Sequence, residues 1–430
     1  MLLFYTVQPG DTLWAISRRY QVPLSEVTRA NQLPDPNRLA VGQGLLIPLP
    51  DLFYYRVQPG DTLWRISRLY GVDIVSLVEA NRIADPSLIY AGQQLRIPFT
   101  IRPRPTIEAL GYLVVSSPAA DRRVIENLGP YLTYVVPFAH RFTAEGSLLE
   151  INDRPAVEAA RAQRVAPLLG IANTDEAGLF IPELAHSVLS RPEVQERLVS
   201  QLLAAARAKN YHGVNVDFEN MFPADRPLYN AFIENLAGRL HAAGLVLSIA
   251  AAPKWADWPN AAWVGAFDYS ALGRLVDFMH LMTYEWGYST GPPFPVAPVN
   301  LVRRVLEYAM SLIPPGKILM GVPFHGYDWT LPDTPENVAR QVSPVGAVNL
   351  ALNQGVAIRF DPEAQSPWLR YTNGSGAEHE VWFEDVRSVR AKYELLRELG
   401  LRGVGYWEIS LPFPQNWEVL TFFFEIAKVI

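Results

Sequence analysis

The chain has 430 residues and no cysteine, with 37 basic side chains against 43 acidic ones and 49% hydrophobic residues. That length calls for two or more domains, each able to bury a core. The lack of cysteine excludes disulfides, thiolate zinc sites, iron–sulfur clusters and cysteine nucleophiles. A net charge of −6 argues against a nucleic-acid binder, whose phosphate partner calls for a basic surface.

The N-terminal Met1-Leu2-Leu3-Phe4-Tyr5 has no basic flank and is too short for a signal peptide, so none is expected. No uncharged apolar stretch approaches the roughly 18–20 residues that span a bilayer, so no membrane association is expected. From Val7 to Tyr20, twelve of 14 positions recur at an offset of 50, between Val57 and Tyr70. The echo continues through Ala30-Asn31 and Ala80-Asn81, Asp35-Pro36 and Asp85-Pro86, and closes on Ile47-Pro48 and Ile97-Pro98. This is a tandem duplication.

Each copy reads as strand, helix, helix, strand. Tyr5-Thr6-Val7 alternates like a strand, Pro9-Gly10 makes a turn, and Asp11 or Thr12 caps a helix with Leu13, Ile16 and Tyr20 on one face. A second helix carries Leu24, Val27 and Ala30, and Leu45-Leu46-Ile47 returns as a strand stopped by Pro48. The pattern Val-x-x-Gly-Asp-Thr-Leu-Trp with a terminal Ile-Pro resembles the LysM module, which binds N-acetylglucosamine-containing glycans. The resemblance implies two modules, 1–50 and 51–100. It places sugar against Gly10, Asp11, Thr12, Leu13, Pro36 and Asn37 in the first, and against Gly60, Asp61, Thr62, Leu63, Pro86 and Ser87 in the second. Two copies add avidity.

After the stiff Pro103-Arg104-Pro105 the texture changes. Eight short apolar runs, each followed by a helical pattern, span 109–115, 132–138, 165–172, 213–219, 245–252, 278–284, 318–324 and 403–409. That alternation predicts an α/β fold, a (β/α)8 TIM barrel, over 101–430. The last gap is longer and holds strand-like runs around Asn373-Gly374, which predicts a small α+β insertion between strands 7 and 8, approximately 330–383. A doubly wound open sheet is the alternative, but no Gly-x-Gly-x-x-Gly loop supports it.

The fourth run, Tyr211 to Asn220, carries the chemistry. Period-two alternation sends Asn215, Asp217 and Glu219 to one side and Val214, Val216 and Phe218 to the other. The apolar set suits the covering helices, so the polar set points into the barrel. Two carboxylates at i and i+2 lie within about 7 Å, and proximity with burial raises the proton affinity of one. A protonated acid at neutral pH is what glycosidic cleavage needs.

The segment resembles the Asp-x-x-Asp-x-Asp-x-Glu signature of family 18 glycoside hydrolases, the chitinase-like enzymes. Glu219 then matches the general acid/base and Asp217 the carboxylate before it, while His212 and Asn215 stand where the family has acids. With Asn215 in place of a like charge, Asp217 is expected to titrate closer to normal, and Asn215 itself is a substrate-binding candidate. Met282-Thr283-Tyr284-Glu285 resembles the family's Met-x-Tyr-Asp, which implies that Tyr284 binds the substrate acetamido group and that Glu285 contacts sugar. Trp407 matches the last-strand tryptophan that floors the sugar subsite. Trp255, Trp258, Trp286 and Trp329 all follow strand ends and are candidates for outer subsites.

The resemblance implies substrate-assisted retaining catalysis with no metal and no cofactor. Seven histidines without His-Glu-x-x-His spacing agree, and His140, His212 and His280 read as structural. Two LysM-like modules joined to this barrel, with the stretches 284–288, 326–332 and 382–385, resemble the spore-cortex-lytic N-acetylglucosaminidases of endospore formers. The implied partner is peptidoglycan or another N-acetylglucosamine-containing glycan, with no nucleic acid and no obligate protein partner. The implied location is the coat/cortex region of the spore, reached from the cytoplasm without a signal peptide. A chitinase acting on chitin oligomers and a non-catalytic glycan-binding coat protein are the rival readings.

Overall fold

The structure, a computed structural model, describes residues 1–33, 35–98, 103–334 and 336–430. The expected boundary at 100–101 lies outside the described residues. In the first repeat the strands Leu2–Thr6 and Gly44–Pro48 pair antiparallel beside the helices Leu13–Tyr20 and Leu24–Asn31. In the second, Phe53–Arg56 and Gln94–Ile97 pair beside Leu63–Tyr70 and Ile74–Asn81. Thr12 and Thr62 cap the first helices, accepting from the N–H of Ala15 and Arg65 at 3.1 Å, because a side-chain oxygen there satisfies a donor the helix leaves orphaned. Leu3, Ile16, Val27, Phe53, Ile66 and Leu77 belong to one continuous core, so the two repeats are packed together.

Eight parallel strands form the barrel: Thr106–Val114, Tyr134–Phe138, Ala166–Ala172, Gly213–Asp217, Val246–Ala251, Phe278–Leu281, Ile318–Pro323 and Gly403–Trp407. The eighth pairs with the first, Gly403 opposite Glu108, and closes the cylinder. Val214, Val216 and Phe218 face the helical layer and join its core, as their alternation predicts. Between strands 7 and 8 an antiparallel sheet of five strands runs Arg340–Val342, Gly326–Leu331, Glu378–Trp382, Ser366–Thr372, Arg359–Asp361 in spatial order, with the helix Pro344–Gln354 against it. Among the described residues no helix is long and apolar enough to cross a membrane.

The first repeat docks on the barrel. Phe4 meets Phe422 edge-on at 6.2 Å and lies under the Arg390 guanidinium at 4.9 Å. Gln415 Nε2 donates to Asn31 Oδ1 at 2.6 Å, and Arg38 donates to the Leu352 carbonyl at 3.2 Å. Ile358 N–H donates to the Val41 carbonyl at 2.8 Å. Gly42 allows this approach: its φ is +80, and a Cβ there falls 1.8 Å from the Ile358 carbonyl oxygen. The equivalent Gly92 has φ +88 but meets nothing closer than the Arg56 guanidinium at 3.8 Å.

The pair gives a controlled test of docking. Gly92→Ala is expected to cost only backbone strain, about 1–2 kcal/mol. Gly42→Ala adds the collision, so the first repeat is pushed off the insertion. Hydrogen exchange at the Ile358 amide checks this: faster in Gly42→Ala and unchanged in Gly92→Ala. Equal protection in both variants would show that docking does not depend on this glycine.

Candidate active site

At the C-terminal mouth of the barrel lies a cleft of ≈ 230 Å³. Its walls include Tyr112, Phe138, Phe180, Asp217, Glu219, Trp263, Met282, Tyr284, Glu285 and Trp407. The fourth strand places the acids there by its alternation. Asp217 is the strand's last residue and is 3% exposed. Glu219 stands two residues on, partly open to the cleft. Its backbone is fixed from the third strand's end, where Asn173 Oδ1 accepts from Glu219 N–H at 2.8 Å and Asn173 Nδ2 donates to Glu219 O at 2.9 Å.

Burial sets the protonation of this pair. It pushes Glu219 up to about 7; the Trp263 indole N–H, 3.3 Å from Oε2, opposes the shift, and the charge of Glu285 adds to it. Burial, reinforced by the charge on Glu219, pushes Asp217 well above the usual carboxylate range. Asn215, in place of a like charge, is expected to let Asp217 titrate closer to normal, yet Asp217 still stands well above the normal value. Losing a like-charged neighbour matters less than losing water, because a desolvated carboxylate disfavours its ionised form whatever stands beside it. Asp217 Oδ1 has no hydrogen-bond partner among the described residues, which leaves it open to a donor in the cleft.

Tyr284 is 5% exposed, and its hydroxyl meets His280 Nε2 at 3.2 Å. Burial lowers His280 to about 3, so the ring is neutral, and burial holds the Tyr284 phenol protonated. Two glycines make room for this pair. A Cβ on Gly405 falls 2.3 Å from His280 Nδ1, and one on Gly321 falls 2.8 Å from Tyr284 Cε1.

Of the residues expected at the site, the cleft brings together Asp217, Glu219, Tyr284, Glu285 and Trp407. Asn215 is a correction: it is fully buried below the cleft, accepting from Tyr112 Oη at 3.1 Å and donating to Ser248 Oγ at 2.9 Å, so its amide is committed inside the barrel. Trp329 is another, being fully buried in the insertion with its indole N–H on the Gly291 carbonyl at 2.7 Å. Trp255 and Trp286 are half-buried and outside the cleft wall, Trp255 packing edge-on against Trp258 under the Arg304 guanidinium. Trp263 went unnoticed because it sits in a loop without periodicity, at φ +67. Tyr112 and Phe138 carried a usable signal, as aromatics at inward positions of the first two strands.

In the repeats, Asp11 Oδ2 accepts from Tyr5 Oη at 2.5 Å and Gln8 N–H at 2.8 Å, and Asp61 does the same with Tyr55 and Gln58. Leu13 and Leu63 are buried in the module core. These four side chains build the turn. Gly10, Thr12, Asn37, Gly60, Thr62, Pro86 and Ser87 are exposed, and Pro36 partly so. No cluster of three or more histidines and carboxylates with metal-site geometry occurs among the described residues.

The electrostatics predict opposite effects of two substitutions on Glu219. Trp263→Phe removes a hydrogen bond to the ionised form and should raise its pKa above about 7. Glu285→Gln removes a like charge and should lower it. Carboxyl-labelled NMR titration of Glu219 reads both directions, and shifts of the same sign would refute the assignment of causes.

Comparison with known proteins bears on the whole chain. LysM domain models match residues 5–48 and 55–98, and the glycosyl hydrolases family 18 model matches 183–411. The cortical fragment-lytic enzyme of Bacillus subtilis (strain 168) is 45% identical, over 99% of this chain and 98% of its own. The crystal structure of the Bacillus cereus spore cortex-lytic enzyme SleL superposes with a TM-score of 0.88 at 36% identity, covering 99% of each chain. That of the Bacillus megaterium QM B1551 enzyme gives 0.86 at 37%, over 100% of this chain and 99% of its own. With two LysM domains ahead of a closed barrel that carries the buried acid pair, the chain belongs to glycosyl hydrolase family 18 and is a glycoside hydrolase.

Proposed function

We propose that the chain is a spore-cortex peptidoglycan N-acetylglucosaminidase that cleaves β-1,4 bonds by substrate-assisted retention. The observation that carries the reading is the state of the acid pair: Glu219 near neutrality in its pKa and Asp217 higher than an ordinary carboxylate. A buried Asp217 whose ionisation is disfavoured by burial is a poor nucleophile, which favours attack by the substrate's own acetamido group, the known exception to the two-carboxylate scheme. The likeness to the cortical fragment-lytic enzymes over almost the whole chain supports the polymer.

In the first step Glu219 gives its proton to the glycosidic oxygen as that bond to the anomeric carbon breaks. The acetamido carbonyl oxygen bonds to the same carbon from the opposite face, forming an oxazolinium. Asp217 Oδ1, which has no other partner among the described residues, accepts from the acetamido N–H, and the carboxylate left on Glu219 balances the positive charge; Tyr284, steadied by His280, fixes the acetamido oxygen. Trp407 floors the ring, with Phe138 edge-on against it at 4.8 Å. In the second step the Glu219 carboxylate takes a proton from water. The resulting hydroxyl bonds to the anomeric carbon, the oxazolinium opens, and the original configuration returns. No metal or cofactor enters either step.

The exposed turn atoms of the two LysM domains hold the glycan by N-acetylglucosamine units, and the site of action is the coat/cortex region of the spore. Glu219→Gln should lower release of fragments with reducing N-acetylglucosamine ends by about 10²- to 10⁴-fold, while co-sedimentation with insoluble peptidoglycan persists. Mass spectrometry of cortex muropeptides reads the first and a pull-down the second. An unimpaired variant sinks the acid assignment, and faster turnover of chitin oligomers than of cortex fragments by the native chain replaces the polymer.

A further inference from the structure

Glu285 enters the cleft in a particular way. Its backbone is left-handed, φ +66, a conformation that costs energy in a residue with a Cβ. The carboxylate is held by two donors from beyond the seventh strand: His325 Nε2 to Oε1 at 2.5 Å, and Tyr327 Oη at 3.1 Å from both oxygens. His325 is 1% exposed, and its Nδ1 has no hydrogen-bond partner among the described residues, so Glu285 is the partner that orients the ring. Tyr327 belongs to the first insertion strand, where its backbone already pairs with Gln341 and Trp382. Its hydroxyl is therefore spare for Glu285.

The same part of the insertion grips the loop that follows Glu285 twice more. Trp329 donates to the Gly291 carbonyl at 2.7 Å, and Ala339 N–H donates to the Ser289 carbonyl at 2.7 Å. A carboxylate has about four lone-pair positions. Oε1 uses two, on His325 and Tyr327, and Oε2 uses one, on Tyr327, which leaves Oε2 with one free position on a side chain that lines the cleft.

We propose that His325 and Tyr327 are positioning residues that aim Glu285 at a donor group of the bound sugar, so that the insertion sheet sets the geometry of the active cleft. This rests on the glycosidase reading of the cleft. The consequence reaches the acid itself, since the charge of Glu285 raises the proton affinity of Glu219.

The test is a pair of double-mutant cycles on cortex muropeptides. It measures kcat and KM for the native chain, Glu285→Gln, Tyr327→Phe, His325→Leu, His325→Gln, and Tyr327→Phe or His325→Leu combined with Glu285→Gln, with thermal unfolding of each. Tyr327→Phe and His325→Leu should each lower kcat/KM about tenfold, as each removes a hydrogen bond to a charged group. His325→Gln should recover most of the loss, because its amide N–H reaches toward the same oxygen. Added to Glu285→Gln, each should cost clearly less than alone, because the charge that their hydrogen bonds act on is already gone. Losses that multiply in the doubles overturn the proposal, as does full activity in the singles. Tyr327→Phe removes one hydroxyl, so it carries the cycle even if His325→Leu does not fold. A native chain that is inactive on muropeptides overturns the substrate reading and this inference with it, whereas an active one with additive losses overturns this inference alone.

Discussion

Two carboxylates two residues apart on one strand, taken out of water at the mouth of a closed barrel, are the constraint to which the rest of the site answers. Desolvation disfavours the charge on either, and the charge on one disfavours the charge on the other. Both effects act on Asp217, and burial is the largest cause that brings Glu219 to about 7, with the Trp263 hydrogen bond opposing it and the charge of Glu285 adding to it. An acid in that range is protonated often enough to donate at neutral pH and is ionised often enough to act as a base afterwards. Nothing in this requires a special residue type. It requires that the strand be closed on both sides by neighbours, which the eight-strand cylinder provides.

The surrounding elements trim that acidity in opposite directions. The loop after the fifth strand brings the Trp263 indole N–H to Glu219, favouring its ionised form, while the loop after the sixth brings Glu285, favouring its protonated form. The third strand holds the Glu219 backbone through Asn173, accepting and donating with one amide. Tyr284 is set by a histidine that burial keeps neutral, so the phenol faces an uncharged partner. Each element supplies one contact, and the contacts converge because successive strands end at the same face of the barrel, which is why such mouths accumulate functional groups.

Much of this was legible in the sequence because it follows from periods. Alternation put Asp217 and Glu219 on the inner face, and the repeat of apolar runs gave all eight barrel strands. The same alternation misled at Asn215: it gave the correct face but not the depth, and a residue two positions below Asp217 lies beneath the floor, bonded to Tyr112 and Ser248. Trp329 misled for a related reason, since following a strand end does not say whether a side chain turns outward or into an inserted sheet. Trp263 carried no signal, because a loop residue at φ +67 is placed by tertiary contacts alone. The titration of Asp217 was only half legible, because the sequence shows which charges stand beside it but not how deeply it is buried.

The two LysM repeats show how little sequence separates a docked module from an open one. Their shared motif builds the same turn, cap and core in both, so the fold is indifferent to which copy meets the barrel. The choice falls on positions outside the motif. Phe4, packed on Phe422, corresponds to Tyr54, which is 42% exposed. Leu46, buried in the barrel core, corresponds to Arg96. Ala40 is buried against Ala347, Ala351 and Ile358, and the position fifty residues on is Tyr90, 68% exposed. A tyrosine in place of Ala40 has no room beside the insertion helix, and an arginine in place of Leu46 would bury an unpaired charge. The second copy thus cannot take the place of the first. The order of the two modules is fixed by steric and electrostatic exclusion at the barrel, while the Gly-Asp-Thr-Leu turns, built by the same hydrogen bonds in both copies, stay alike.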